Sequence, residues 1–448
     1  MSKTQHKERV RRRPRPGWHR VPLAGVAVAG LIAGIAGCGG SSGTNPVNAN
    51  GVTTITLSMQ NANVKAQDPA TYDIVQAFMK AHPKVNVVIQ GQPVAQHEQD
   101  MEVAAQSGTL PDIFWVYNTL AQPMAQHGDL LNLTPILQSL HLTSSFAPNM
   151  LDGFKQGTVQ YGLPYQSLVT GFYYNKAIFA KYHLTVPVTF DQLVSVVKTL
   201  HQHGIVPIAQ GSGADSSFSV WAFLTMLDRF GYQGMYKSIL AGKTSYENPQ
   251  FLKLYTHIQE LQKAGAFPSN TSTQSYFQSV QSFLSGKAAM LDSGVWQAGQ
   301  IQSSSIGKDV GFWWGPTFTD GVGDQHVKMD APSAPFVVSA KVKDNQKVYN
   351  AVKQFIGFYY SAAGQKIMVQ NAQIPVTTYP VKVDAAKSPV FGAVVQQLNT
   401  PGWTSPEAQP DLVVSANTAN AMYDSIYGVM EGVYSPSRAL QVVQQTLK

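Results

Sequence analysis

Sulfur and charge are scarce in this chain. Cys38 is its one cysteine, so no disulfide can close within it and no Cys-x-x-Cys redox or zinc motif can be built. Asp, Glu, Lys and Arg make up 13% of the residues, which leaves a surface of mostly uncharged polar groups. After Arg20, arginine occurs at positions 229 and 438 alone, too few for the cluster that an anion-binding cleft would use. No apolar run after Gly37 is long enough to span a bilayer. The catalytic signatures are missing as well. There is no His-Glu-x-x-His and no EF-hand loop, and Gly-x-Ser-x-Gly occurs only as Gly39–Gly43 in a Gly/Ser-rich stretch, without the preceding strand that a nucleophile elbow needs. The stretch GSGADSS, residues 211–217, lacks the lysine of a phosphate loop and the third glycine of a dinucleotide fingerprint.

The N-terminus is strongly patterned. Eight Lys/Arg against one acid, Glu8, lie between Lys3 and Arg20, and Val21–Gly37 carries no charge. A basic segment, a short apolar segment and small residues at its end make an export signal. The arginine run at 11–13 is followed by Pro14 and Arg15, unlike a twin-arginine signal. Ile35-Ala36-Gly37-Cys38 resembles the lipobox of bacterial lipoproteins, which implies removal of residues 1–37 and acylation of Cys38 as a membrane anchor. With the leader set aside, 24 basic and 24 acidic residues remain of the 32 and 25 in the chain. The basic excess is therefore the export signal, and a nucleic-acid partner is not expected. Residues 38–52 read as a flexible Gly/Ser/Asn tether, and the remainder is long enough for two domains.

From Thr53 the periodicity alternates. TTITLSMQ (53–60) reads as a strand, Tyr72–His82 as a helix with Ile74, Val75, Phe78 and Met79 on one face, and VNVVI (85–89) as a second strand. DIFWVY (112–117) and IVPIAQ (205–210) are further strands. Between them a helix starts at Thr189, capped with Gln192, and stops at Gly204. Helical patterns dominate 216–265 and 345–370, and the chain ends in helices over 411–428 and 436–447. This order predicts an α/β body with largely parallel sheet.

Several stretches together resemble the carbohydrate-binding extracellular solute-binding proteins of ABC importers, the group that includes maltose-binding protein. They are SGTLPDIFWVYN (107–118), GDLLNLTPIL (128–137), YGLPYQSLVTGFYYNKAIFAKYHL (161–184), VPVTFDQL (186–193), FLSGKAAMLDSGVW (283–296) and NAQIPV (371–376). The resemblance implies a two-lobed fold of discontinuous lobes joined by crossing hinge strands, one crossing within 162–171 and another within 289–297. The N-terminal lobe would take 53–165 and 297–344, the C-terminal lobe 166–296 and 345–448. It also implies a monomer on the outer face of the cell membrane, in the periplasm where an outer membrane exists, delivering solute to a permease. No cofactor or metal is expected.

A neutral sugar needs aromatic planes and hydrogen-bonding groups. By resemblance, Trp115 at a strand end and Trp296 at the second crossing match sugar-stacking positions. Asn118 stands where a relative carries an acid. Gln60 and Asn61 follow the first strand, Tyr165 and Gln166 lie at the first crossing, and Trp221 opens a helix of the second lobe. Leu168 replaces an acidic ligand of maltose-binding protein, and the C-terminal tryptophan of that protein has no counterpart among Asn417, Ala419 and Asn420; Trp403 is a substitute. One of the adjacent Trp313 and Trp314 should point outward from its strand.

Other readings remain open from the sequence. A binding protein for a non-sugar solute shares every feature except the aromatic positions. A secreted glycoside hydrolase would need two carboxylates across a cleft, with Asp112, Asp292 and Asp330 as candidates. His201 and His203 form His-x-His near a helix end, where positions i and i+2 do not share a face. TDGVGDQH (319–326) reads as a hairpin turn or a calcium loop.

Overall fold

The computed structural model describes residues 51–213, 219–407 and 409–447; the leader and Cys38 lie outside these residues. Two five-stranded sheets organise the chain. The first runs in the order β2 (Val85–Gly91), β1 (Thr53–Met59), β3 (Ile113–Trp115), β12 (Pro335–Val338) and β6 (Gly162–Pro164). The second runs β10 (Val310–Trp313), β7 (Ser167–Asn175), β9 (Ala288–Gly294) and β8 (Val206–Ala209), with β11 (Met329–Pro332) also on β7. A small hairpin pairs β4 (Lys155–Gln156) with β5 (Val159–Gln160).

Strand alternation sets the cores. Along β3 and the residue after it, Ile113 and Trp115 face one hydrophobic cluster while Phe114 and Val116 face another; in β7, Phe172 and Tyr173 likewise part company. Both sheets are thus covered on both faces. That is why Trp313 and Trp314 are both buried: Trp313 stacks on Phe172 at 5.3 Å, and Trp314 meets Phe312 edge-on at 5.1 Å from the opposite face. The expected outward tryptophan does not occur, because this sheet has no solvent face at that strand.

Helix boundaries follow local signals. Helix Phe190–Gln202 starts at a capping box, Thr189 with Gln192, and is followed by Gly204 at φ 70°. Helix Pro69–Ala81 has Asp68 as its N-cap and proline in its first turn. The sheets are mixed where the sequence predicted mostly parallel pairing. β1 runs parallel to β2 and β3, and β8 to β9, but β12 and β7 run antiparallel to all their partners. The antiparallel strands are those that pass between the sheets and return.

Those passages define two lobes. β6 leaves the first sheet at Pro164 and β7 enters the second at Ser167; β11 leaves the second at Pro332 and β12 re-enters the first at Pro335. The two connections lie side by side, with Ser333 N donating to Gln166 O at 3.0 Å. A third runs through 371–377, where Ser167 N donates to Ile374 O at 3.3 Å and Ala147 N to Val376 O at 3.0 Å. The first connection runs from Pro164 to Ser167. Residues 289–297 do not cross, since β9 stays between β7 and β8. Consequently β10 and β11 belong to the second sheet, whereas helices Gln346–Tyr359 and Ala362–Gln370 pack on the first lobe against β1 and helix Pro69–Ala81. The expected lobe boundaries at 297 and 345 fail on this pairing.

Candidate ligand-binding site

Between the lobes, beside the crossings, lies a cavity of about 280 Å³. Its first-lobe wall comes from strand ends, as is usual for an open α/β sheet. Trp115 closes β3, and Tyr117 two residues on meets it edge-to-face at 4.7 Å. Gln60 and Asn61 follow β1, and Asp68 sits at the start of its helix. The second-lobe wall holds Trp221, Tyr276, Phe277, Trp296 and Gln297, with Asp411 and Leu412 from a turn before the penultimate helix. Tyr165, Gln166, Ser333 and Gln373 form the floor at the crossings.

The aromatic groups are held by polar contacts behind them. His97 Nε2 lies 2.6 Å from Trp115 O, and Tyr117 N donates to Glu98 Oε1 at 2.9 Å. Burial raises Glu98 to about 7. Trp296 Nε1 donates to Tyr276 OH at 2.9 Å, and that hydroxyl lies 2.7 Å from Ser293 Oγ. Trp221 and Trp296 meet at 4.7 Å and 88°. Tyr165 donates to Asp68 Oδ2, while Asp68 Oδ1 accepts Thr71 N at 3.2 Å; burial raises this carboxyl above its ordinary range. Asp411 accepts Tyr423 OH at 2.5 Å, and burial raises it to about 6.

The polar lining is rich in amides: Gln60, Asn61, Gln67, Gln166, Gln297 and Gln373 line the cavity, and each side chain can both donate and accept. No lysine, arginine or histidine among the described residues lines the cavity, and its two ionisable acids are Asp68 and Asp411. Such a site suits an uncharged ligand with hydroxyl donors and apolar ring faces, and disfavours an anion.

Seven of the eight residues singled out in the sequence line this cavity: Gln60, Asn61, Trp115, Tyr165, Gln166, Trp221 and Trp296. Asn118 does not. It starts helix Asn118–His127 and its amide is used by the protein, donating to Gly153 O at 3.2 Å and accepting Tyr161 OH at 2.8 Å. Trp403 packs on Trp314 and His326 instead of the cavity. Tyr117 and Gln297 adjoin motifs already visible in the sequence, and the Ser275/Gln278 capping box marks the helix start that presents Tyr276. Ser333, Gln373 and Asp411 carry no local signal, because chain crossings bring them in.

The carboxylates considered for hydrolysis lie elsewhere. Asp112 Oδ2 accepts Thr56 N at 2.8 Å and ties β3 to β1, Asp292 accepts Ala222 N at 3.0 Å, and Asp330 sits within β11. In the 319–326 turn, Asp324 accepts His326 N and Thr404 Oγ1, and Asp320 pairs with His257 at 3.1 Å. His203 caps a helix end and stacks on Tyr182 at 4.5 Å. Among the described residues no group of three His, Cys, Asp or Glu is placed to hold a metal.

The fold is shared with known proteins. A chitin oligosaccharide binding protein superposes with TM-score 0.78 at 24% identity, covering 88% of this chain and 98% of that one. The multiple sugar-binding protein of Streptococcus mutans is 23% identical over 324 residues, 69% of this chain and 74% of its own. The maltodextrin-binding protein of Bacillus subtilis is 21% identical over 94% of this chain and 96% of its own. Residues 61–366 match the family model for bacterial extracellular solute-binding proteins. With two lobes, three crossings and an aromatic cavity between them, this chain belongs to that family of bacterial extracellular solute-binding proteins.

Proposed function

We propose that the protein is a lipid-anchored receptor of an ABC importer that captures a neutral sugar outside the cell membrane and hands it to a permease. The observation that carries this reading is the combination, in one cavity, of six indole and phenol side chains with six side-chain amides and, among the described residues, no lysine, arginine or histidine. A pyranose offers the complement, apolar faces and hydroxyl donors. The similarity to sugar- and maltodextrin-binding relatives agrees with it. The protein makes and breaks no bond; ligand favours closure of the lobes by its difference in affinity between open and closed forms. Anchoring through Cys38 rests on the lipobox pattern, and a monomer on the family resemblance.

The test is the melting midpoint of residues 39–448 against maltose, xylobiose and chitobiose, with glucuronate and spermidine as charged controls. Saturating ligand stabilises the native state by several kcal/mol when its concentration is about a thousandfold over Kd. A rise with a neutral sugar is expected. Trp115→Ala and Trp296→Ala should each weaken that binding by about 1–3 kcal/mol, the scale of a buried aromatic side chain, while Asn118→Ala serves as the off-site control. A shift with spermidine alone would replace the sugar by a cation drawn to Asp68 and Asp411.

A further inference from the structure

Three consecutive residues at the end of β9 reach both second-lobe tryptophans. Helix Trp221–Arg229 begins without a cap of its own, since its N-cap position is Val220 and makes no side-chain bond. Asp292 supplies it from the neighbouring strand: its Oδ1 accepts Ala222 N at 3.0 Å, one residue past Trp221. The carboxyl has no exposed surface, so this contact, unlike a surface cap, is shielded from competing water. On the opposite face of the strand, Ser293 Oγ lies 2.7 Å from Tyr276 OH, which accepts Trp296 Nε1 at 2.9 Å. Gly294 completes the set. A Cβ there would stand 1.9 Å from the six-membered ring of Trp296, so that ring occupies the space a side chain at 294 would take.

We propose that Asp292, Ser293 and Gly294 are positioning residues that hold Trp221 and Trp296 at their right-angled contact. The proposal rests on the reading that the cavity takes a ring-bearing ligand. Alternation of the strand explains how one tripeptide serves two walls, because successive side chains leave on opposite faces. Asp292 acts through a helix start, Ser293 through a phenol and Gly294 by having no side chain. The pair is thereby fixed before ligand arrives, which lowers the ordering cost of binding.

The first readout needs no ligand. Two indoles 4.7 Å apart give an exciton couplet in circular dichroism, identified as the signal that Trp221→Phe removes. Asp292→Ala is expected to lose it, and Asp292→Asn, which keeps an acceptor oxygen, to retain it. Ser293→Ala should reduce it by freeing Trp296. The second readout is the affinity for whichever of maltose, xylobiose and chitobiose shifts the melting midpoint most. Asp292→Ala should cost at least tenfold in the wild-type background and under twofold in Trp221→Phe. An unchanged couplet in folded Asp292→Ala, or equal losses in both backgrounds, overturns the proposal. Should Asp292→Ala not fold, Ser293→Ala decides, since it removes one oxygen; a couplet unaltered there overturns it too. Loss of the couplet with no sugar bound supports the positioning role and counts against the sugar reading alone.

Discussion

Asp292 shows how a residue's surroundings outweigh its type. In the sequence it is one of several acids suited to hydrolysis. In the fold it is a fully buried cap, and loss of hydration raises its pKa from 3.8 to about 8. A carboxyl with a raised folded pKa contributes stability that is complete below its unfolded value and is lost as pH rises through the folded one. The relevant window is therefore pH 4 to 8. Asp292→Asn removes this titration while keeping the acceptor, so its urea midpoint should gain on the wild type between pH 5 and pH 8. A gap that stays constant with pH would show that Asp292 does not titrate there. Asn118 teaches the reverse lesson: the residue type suited a sugar, but Tyr161 and Gly153 already occupy its amide.

Elements that carry their own boundary signals were legible. The helix expected over 189–204 is found over Phe190–Gln202, with Thr189 and Gln192 bonded reciprocally as the pattern requires. Thr189→Ala should cost about 1 kcal/mol of stability, the usual worth of such a cap, and leave sugar affinity unchanged because none of that helix lines the cavity. Denaturant midpoint and ligand titration on one variant check both halves. Strands were legible as strands, since Ile55, Leu57 and Met59 alternate inward. Their partners were not. A strand's side chains report which faces are apolar, and say nothing of which backbone lies beside it or in which direction. That is why β10 and β11 were expected in the first lobe and are found hydrogen-bonded to β7 in the second.

At the scale of the molecule, the three crossings converge on Gln166, Ser333 and Ile374, so the floor of the cavity is also the joint between lobes. A ligand touching Tyr165, Gln166, Ser333 and Gln373 contacts the connections about which the lobes can move, which couples occupancy to closure. Among the described residues no helix is long and apolar enough to cross a membrane, and the attachment proposed above is through Cys38. Cys38→Ala should therefore move the protein from the membrane fraction to the soluble one or leave an unprocessed precursor. A processed protein that stays on the membrane would refute the lipid anchor.

The sequence by itself determined the α/β character, the family and most of the aromatic and amide residues of the cavity. Each of these is written in a short window, as a periodicity, a cap or a strand-end motif. Only the tertiary structure decided which strands share a sheet, which acids are buried caps, and that Gln373, Ser333 and Asp411 line one cavity with Trp115. Those outcomes depend on hydrogen bonds between backbones far apart in the chain and on the removal of water from charged groups, and neither is encoded in the spacing of neighbouring residues.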